Sequence, residues 1–142
     1  MKFSTALKLA ISSILLLTLA SISFADQEKE MAAVSSAENF LQLVDSGRYA
    51  ESWEVTSELF KNQVSKQQWE KQLGSIRPAF GNLIKREIKS KTYTKLLPNA
   101  PDGEYVVIQF STSFENKKSA IETVTPMLES NGEWRVSGYY IR

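Results

Sequence analysis

Ile121-Glu122-Thr123-Val124-Thr125-Pro126-Met127-Leu128-Glu129-Ser130-Asn131-Gly132-Glu133-Trp134-Arg135-Val136-Ser137-Gly138-Tyr139-Tyr140-Ile141 is the stretch that decides the fold. Two runs rich in β-branched and aromatic residues flank Asn131-Gly132. That dipeptide supplies the two positive-φ residues of a type I′ turn, so the stretch predicts a hairpin.

Working back from the hairpin, Glu104 to Phe114 predicts the clearest strand. Val106, Ile108, Phe110, Thr112 and Phe114 alternate with Tyr105, Val107, Gln109, Ser111 and Ser113, so one face is strongly apolar and the other mixed. Glu115 to Lys118 turns the chain, and Ser119 to Leu128 returns it with Ala120, Glu122, Val124 and Leu128 on one face. Leu83 to Leu97 reads as a long first strand with a solvated face, ended by Pro98 and Asn99. The four together predict an antiparallel meander.

Before residue 83 the period changes to that of helices. Met31, Val34, Ala37, Leu41 and Val44, with Phe40 beside them, form one stripe of a helix over Glu28–Asp45, closed by Gly47. Tyr49, Trp53, Thr56 and Phe60 predict a second, short helix to about Leu59 or Phe60. Ser65 with Gln68 forms a capping box for a third, which turns Trp69, Leu73 and Ile76 inward and ends near Arg77-Pro78 and Gly81. The predicted class is therefore α+β: three N-terminal helices packed on a curved four-stranded antiparallel meander.

Met1 to Ala25 has the pattern of a secretory signal peptide. Lys2 and Lys8 precede or open a short apolar run from Leu9 to Ala20, and Ser23-Phe24-Ala25 places small residues where a signal peptidase reads. The expected organisation is a signal peptide at 1–25, cleaved after Ala25, and one domain at 26–142. The apolar run is shorter than the roughly twenty residues a bilayer requires, so no membrane anchor is expected after cleavage. An exported protein in the periplasm, or secreted, follows.

Composition narrows the chemistry. The chain carries 17 basic and 16 acidic residues; loss of Lys2 and Lys8 leaves 15 against 16, a balance of −1. Such a balance offers no electrostatic case for nucleic acid or an anionic membrane surface. The chain has no cysteine and no histidine, so disulfides, Ser-His or Cys-His nucleophile pairs and His-containing metal sites are absent. No carboxylate run has the spacing of a calcium loop either, and no metal or other cofactor is expected.

Glu122 is the residue that invites a functional reading, because a carboxylate on a buried strand face is costly unless it is paired or protonated. Arg77, Arg86 and Arg135 are the available guanidinium partners, and Arg77 is the favoured one, placed where the third helix ends. A candidate pocket is then walled by Trp53, Trp69 and Tyr139 around Arg77 and Glu122. The competing reading of the same two residues is a structural ion pair that fastens helix to sheet.

Three helices before an antiparallel meander is similar to the cone-shaped, nuclear-transport-factor-2-like fold, also described as cystatin-like. At finer grain Leu43-Val44-Asp45-Ser46-Gly47-Arg48-Tyr49, Ser52-Trp53, Val64-Ser65 with Trp69, Arg77 with Gly81, Pro101-Asp102-Gly103-Glu104-Tyr105-Val106-Val107, Phe114 with Glu122, and Gly132-Glu133-Trp134-Arg135-Val136 with Gly138-Tyr139-Tyr140 resemble the bacterial family known as domain of unknown function 4019. The resemblance implies fold and export; it implies no activity.

Two functions from different classes are expected to compete. One is a non-enzymatic module that binds a small ligand or an envelope protein, or associates with itself as a homodimer. The other is a small-substrate enzyme of the cone-fold isomerase or dehydratase kind, with Glu122 as base and Tyr139 as donor. A glutamate beside an arginine is a weakened base, so no catalytic residue is assigned.

Overall fold

The computed structural model describes residues 5–142, with side chains from Phe24 onward. The start of the expected signal peptide at residues 1–4 lies outside the described residues, as do the side chains of its apolar run. Helix α1 spans Thr5–Asp45 and passes through the bond after Ala25. Among the described residues no helix is long and apolar enough to cross a membrane.

The part of α1 that belongs to the folded core begins at Ala33. Ala33, Ala37, Phe40, Leu41 and Val44 are buried, whereas Met31, expected in the same stripe, is exposed. The helix stops at Gly47, whose φ is 72°. Arg48 N–H donates to Leu43 O at 2.9 Å and Gly47 N–H to Val44 O at 3.1 Å, the paired bonds of a Schellman ending that satisfy the last carbonyls.

The expected second helix is two short ones, α2 at Tyr49–Glu54 and α3 at Glu58–Gln63. The break lies at Thr56-Ser57. Thr56 forms a parallel bridge with Val136, Ser57 N–H donates to Val136 O at 2.9 Å, and the extended Ser57 (ψ 159°) accepts from Phe60 N–H to cap the new helix. A hydroxyl residue that can cap its own next turn competes with helix continuation. Among the described residues four helices therefore stand where three were expected.

Helix α4, Lys66–Phe80, begins with the expected Ser65–Gln68 capping box. It runs past Pro78 by two residues, because a proline in the last turn forfeits only one helical bond. Gly81 then ends it at φ 74° and ψ −164°. Trp69 and Leu73 face inward as expected, but Ile76 is exposed.

Four antiparallel strands follow in the order β1-β2-β3-β4: Leu83–Thr94, Tyr105–Phe114, Lys117–Leu128 and Trp134–Ile141. The hairpin between β3 and β4 is present, but its turn differs from the expected type I′. Gly132 N–H donates to Glu129 O at 2.9 Å, and Glu129 N–H to Glu133 O at 2.8 Å, which makes a three-residue loop with only Gly132 left-handed, at φ 85°. The Asn131 side chain instead accepts from Glu133 N–H at 3.0 Å. This is the alternative solution for short hairpins, in which glycine takes the left-handed place after an ordinary turn.

The helices cover one face of the sheet. Ala33, Ala37, Phe40, Leu41 and Val44 of α1 pack with Val106, Ile108, Phe110, Val124 and Val136, and Phe60, Trp69 and Leu73 extend the same cluster. Strand β1 is the exception: most of its residues are exposed.

Candidate functional site

A buried polar network crosses this apolar core, and one residue of almost every element contributes to it. Glu122 on β3 is fully buried. Its Oε2 accepts from Arg86 Nε at 2.7 Å and Thr112 Oγ1 at 2.6 Å. Its Oε1 accepts from Arg86 Nη2 at 3.1 Å and Tyr139 OH at 2.7 Å. Four donors on one carboxylate match its four lone-pair sites.

Arg86 therefore holds Glu122, and this corrects the expected partner. Arg77 turns to Asp45 at the end of α1, with Nη2 to Oδ1 at 3.0 Å, and donates from Nη1 to Gly81 O at 2.8 Å. It also stacks over Phe114, 4.1 Å from the ring centre. Arg135, the third candidate, pairs with Glu133 at the surface. Arg86 reaches the same Asp45, Nη1 to Oδ2 at 2.6 Å and Nη2 to Oδ1 at 3.0 Å. Two carboxylates and two guanidiniums thus form one neutral cluster.

The electrostatics follow from burial. Burial opposes the charge of Arg86, but its bonds to Asp45 and Glu122 more than offset this and raise its pKa above the ordinary value. Tyr139 is driven the same way for a different reason: burial first, then the charge and hydrogen bond of Glu122, raise its pKa well above 10.0. A phenol so placed holds its proton and donates it in a hydrogen bond.

Asp45 is the member that residue patterns did not single out. It was legible in one respect: an acid in the last turn of a helix sits at the negative end of the dipole, which disfavours it unless cations face it. Arg77 and Arg86 are those cations.

Two grooves lie on either side of the network. One, of about 400 Å³, runs between α4 and β4 and is walled by Trp69, Leu73, Ile76, Arg77, Phe80, Tyr139 and Ile141 among others. It gathers three of the five expected pocket residues. Glu122 lines neither this groove nor the next, and Trp53 stands apart, its Nε1 donating to Val64 O at 2.8 Å under Lys61. The second groove, of about 490 Å³, lies between α1 and β1 with Asp45 and Arg86 in its wall beside Leu83 and Ile88.

The aromatic wall of the first groove is continuous with the core. Trp69 meets Phe60 edge-on at 5.1 Å and Tyr139 at 6.2 Å between ring centres, and Tyr139 meets Phe40 at 5.5 Å. Trp69 Nε1 donates to the buried Ser52 Oγ at 2.9 Å. These rings are fixed by packing on their far sides, which leaves a preformed surface. Arg77 Nε is the one buried side-chain polar atom without a partner among the described residues. No group of three acidic side chains stands close enough to hold a metal ion among those residues.

A family model described as "Protein of unknown function (DUF4019)" matches residues 36–139, a span that contains every member of the buried network. No curated protein and no solved structure gives a significant match.

Proposed function

This chain belongs to the DUF4019 family, and from that premise we propose that it is an exported, non-enzymatic binding module whose ligand surface is the groove between α4 and β4. The single observation that carries the reading is the groove itself: about 400 Å³, walled by aromatic and aliphatic side chains that the core holds in place. Apolar concavities with a few polar groups are the usual form of a binding site.

The role of Glu122 supports binding over catalysis. Its four lone-pair sites already accept hydrogen bonds, and a substrate proton finds no open oxygen there. Tyr139, raised above its ordinary pKa, is a poor proton donor in chemistry near neutral pH. The network is then the fastening that sets Tyr139 at its place in the groove, with Trp69 packed edge-on against its ring. In the same reading the helices and meander form the cone-shaped fold, residues 1–25 direct export to the periplasm, and the ligand is a small apolar molecule or a segment of an envelope protein.

The test uses the neutral dye N-phenyl-1-naphthylamine and the full chain. Dye emission is expected to rise on addition of the protein, to be lost in Ile76→Lys on the groove wall, and to persist in Ile88→Lys beside the other groove. Absence of any rise, or loss in Ile88→Lys alone, overturns the assignment.

A further inference from the structure

Strand β4 is an edge of the sheet, and its last residues carry backbone groups that no other described residue pairs. The phase is fixed by the reciprocal bonds between Ile121 and Arg142, 2.9 and 3.1 Å. In an antiparallel ladder the bonding direction alternates, so Tyr140 and Arg142 face β3 while the N–H and C=O of Tyr139 and Ile141 point outward. A register shift opposite Thr125 and Pro126 separates this segment from Val136. At Val136 the outward carbonyl is already taken: the Thr56-Ser57 segment lies there as a short parallel addition. The chain itself thus shows that this edge accepts an extended segment, and it leaves the remainder of the edge unfilled.

The two edges of the sheet are treated differently. β1 carries Lys85, Lys89 and Lys91 and two register irregularities, the usual devices that keep an edge from pairing. Gly138 to Ile141 has no charged side chain. It lies beside the α4 groove, and Tyr139, Tyr140 and Ile141 are themselves part of the groove wall.

Resting on the groove assignment above, we propose that the ligand is an extended peptide segment that adds to the β4 edge at Tyr139–Ile141 and places apolar side chains in the groove under α4. A peptide is the ligand class that brings both backbone donors and acceptors for the outward groups and alternate side chains for the apolar wall. Its side chains next to Tyr139 and Ile141 meet Leu73, Ile76 and Phe80 of the groove wall. A second copy of the chain would instead pair β4 with itself antiparallel about a two-fold axis, and the dimers it forms distinguish it.

The probe is a displayed library of random nine-residue peptides, selected on the immobilised full chain. The selected sequences are expected to lack proline and to carry apolar residues at alternate positions. Synthetic versions N-methylated at one alternate set are expected to bind roughly tenfold or more weakly, while methylation of the other set leaves binding intact. Ile141→Pro removes an outward N–H without touching the ladder to β3, and is expected to weaken peptide binding roughly tenfold or more beyond Ile141→Ala, which gives up the same groove-wall side chain but keeps the N–H. A wild-type melting midpoint in Ile141→Pro shows that the fold is kept.

Equal binding of both methylated sets overturns strand addition and leaves an apolar groove ligand. No selected peptide, with the dye still bound, overturns this inference alone; no peptide and no dye overturns the groove assignment with it. Concentration-dependent dimers abolished by Ile141→Pro overturn it in favour of a second copy.

Discussion

Arg86 on β1 and Glu122 on β3 form a two-point ion pair across the intervening strand β2, Nε to Oε2 at 2.7 Å and Nη2 to Oε1 at 3.1 Å. Thr112 of β2, the register partner of Arg86 and two residues along from Phe110 opposite Glu122, donates to the same carboxylate. The pair thus ties three strands at one point, and Asp45 and Tyr139 extend the tie to α1 and β4. Removing one partner of such a pair strands the other charge in a dry site. Glu122→Ala is expected to cost about 3–5 kcal/mol. The joint replacement Glu122→Met with Arg86→Met should recover part of that loss, since no charge is then left unpaired. Urea midpoints decide it; a double variant less stable than Glu122→Ala would mean that burial of the charge is not the problem.

Tyr139 contributes a pH dependence with a definite sign. Its folded pKa is raised above the ordinary 10.0 by burial and by Glu122, so its stabilising effect is fully present below pH 10.0 and is lost as pH rises above that value. Tyr139→Phe removes one donor to Glu122 and should cost on the order of 1 kcal/mol at neutral pH. Above the ordinary tyrosine range the variant should lose stability less steeply than the wild type. It will not become flat, because Tyr93 and Tyr105 are shifted in the same direction. Parallel melting curves of the two proteins in alkaline buffer would refute the assignment.

The period of the strands and the long helices made the α+β order readable, since alternation in 104–114 and the helical stripe in 28–45 each depend only on which residues avoid water. What was not readable depended on partners distant along the chain. Thr56-Ser57 leaves the helix because Val136 offers a backbone carbonyl eighty residues away in sequence, within the roughly 1 kcal/mol by which a serine prefers a cap to a helix interior. Asn131 yields its left-handed role to Gly132 for a loop choice that Asn-Gly permits equally. Arg77 and Arg86 compete for Glu122 on equal chemistry, and only their places in the fold settle it: Arg86 stands on β1 opposite Thr112, whereas Arg77 at the end of α4 is held by Gly81 O and lies over Phe114.

Trp69 and Trp134 separate packing from position. If Trp134 were buried, as its place beside the hairpin suggests, its truncation would cost about 3–5 kcal/mol. It is only half-buried and packs against the edge of the core, so Trp134→Ala is expected to fall below about 2 kcal/mol. Trp69 is 5% exposed and stacks with Phe60, Phe40 and Tyr139. The larger cost, about 3–5 kcal/mol, therefore belongs to Trp69→Ala. Thermal midpoints of the two variants in one buffer rank them directly.

Gly81 joins the network to the strand side of the fold by its backbone. Its φ of 74° and ψ of −164° lie in a region that side-chain-bearing residues avoid. A Cβ added there would stand 2.7 Å from Glu115 Oε2 and 2.9 Å from Glu115 Cβ. Glu115 cannot simply swing aside, because its carboxylate accepts from Asn82 N–H at 2.9 Å and from the Asn82 side chain. Gly81→Ala must therefore strain the backbone and displace a held side chain. A cost of about 2–4 kcal/mol is expected, above the roughly 1–3 kcal/mol of the backbone conformation alone. Since Gly81 O accepts from Arg77, the shift should also loosen Arg77 at the groove wall. Glu115→Ala combined with Gly81→Ala should return the part due to the clash but not the part due to φ. Denaturant midpoints of the two single variants and the pair measure both parts, and a fully additive pair would show that the alanine Cβ never meets Glu115.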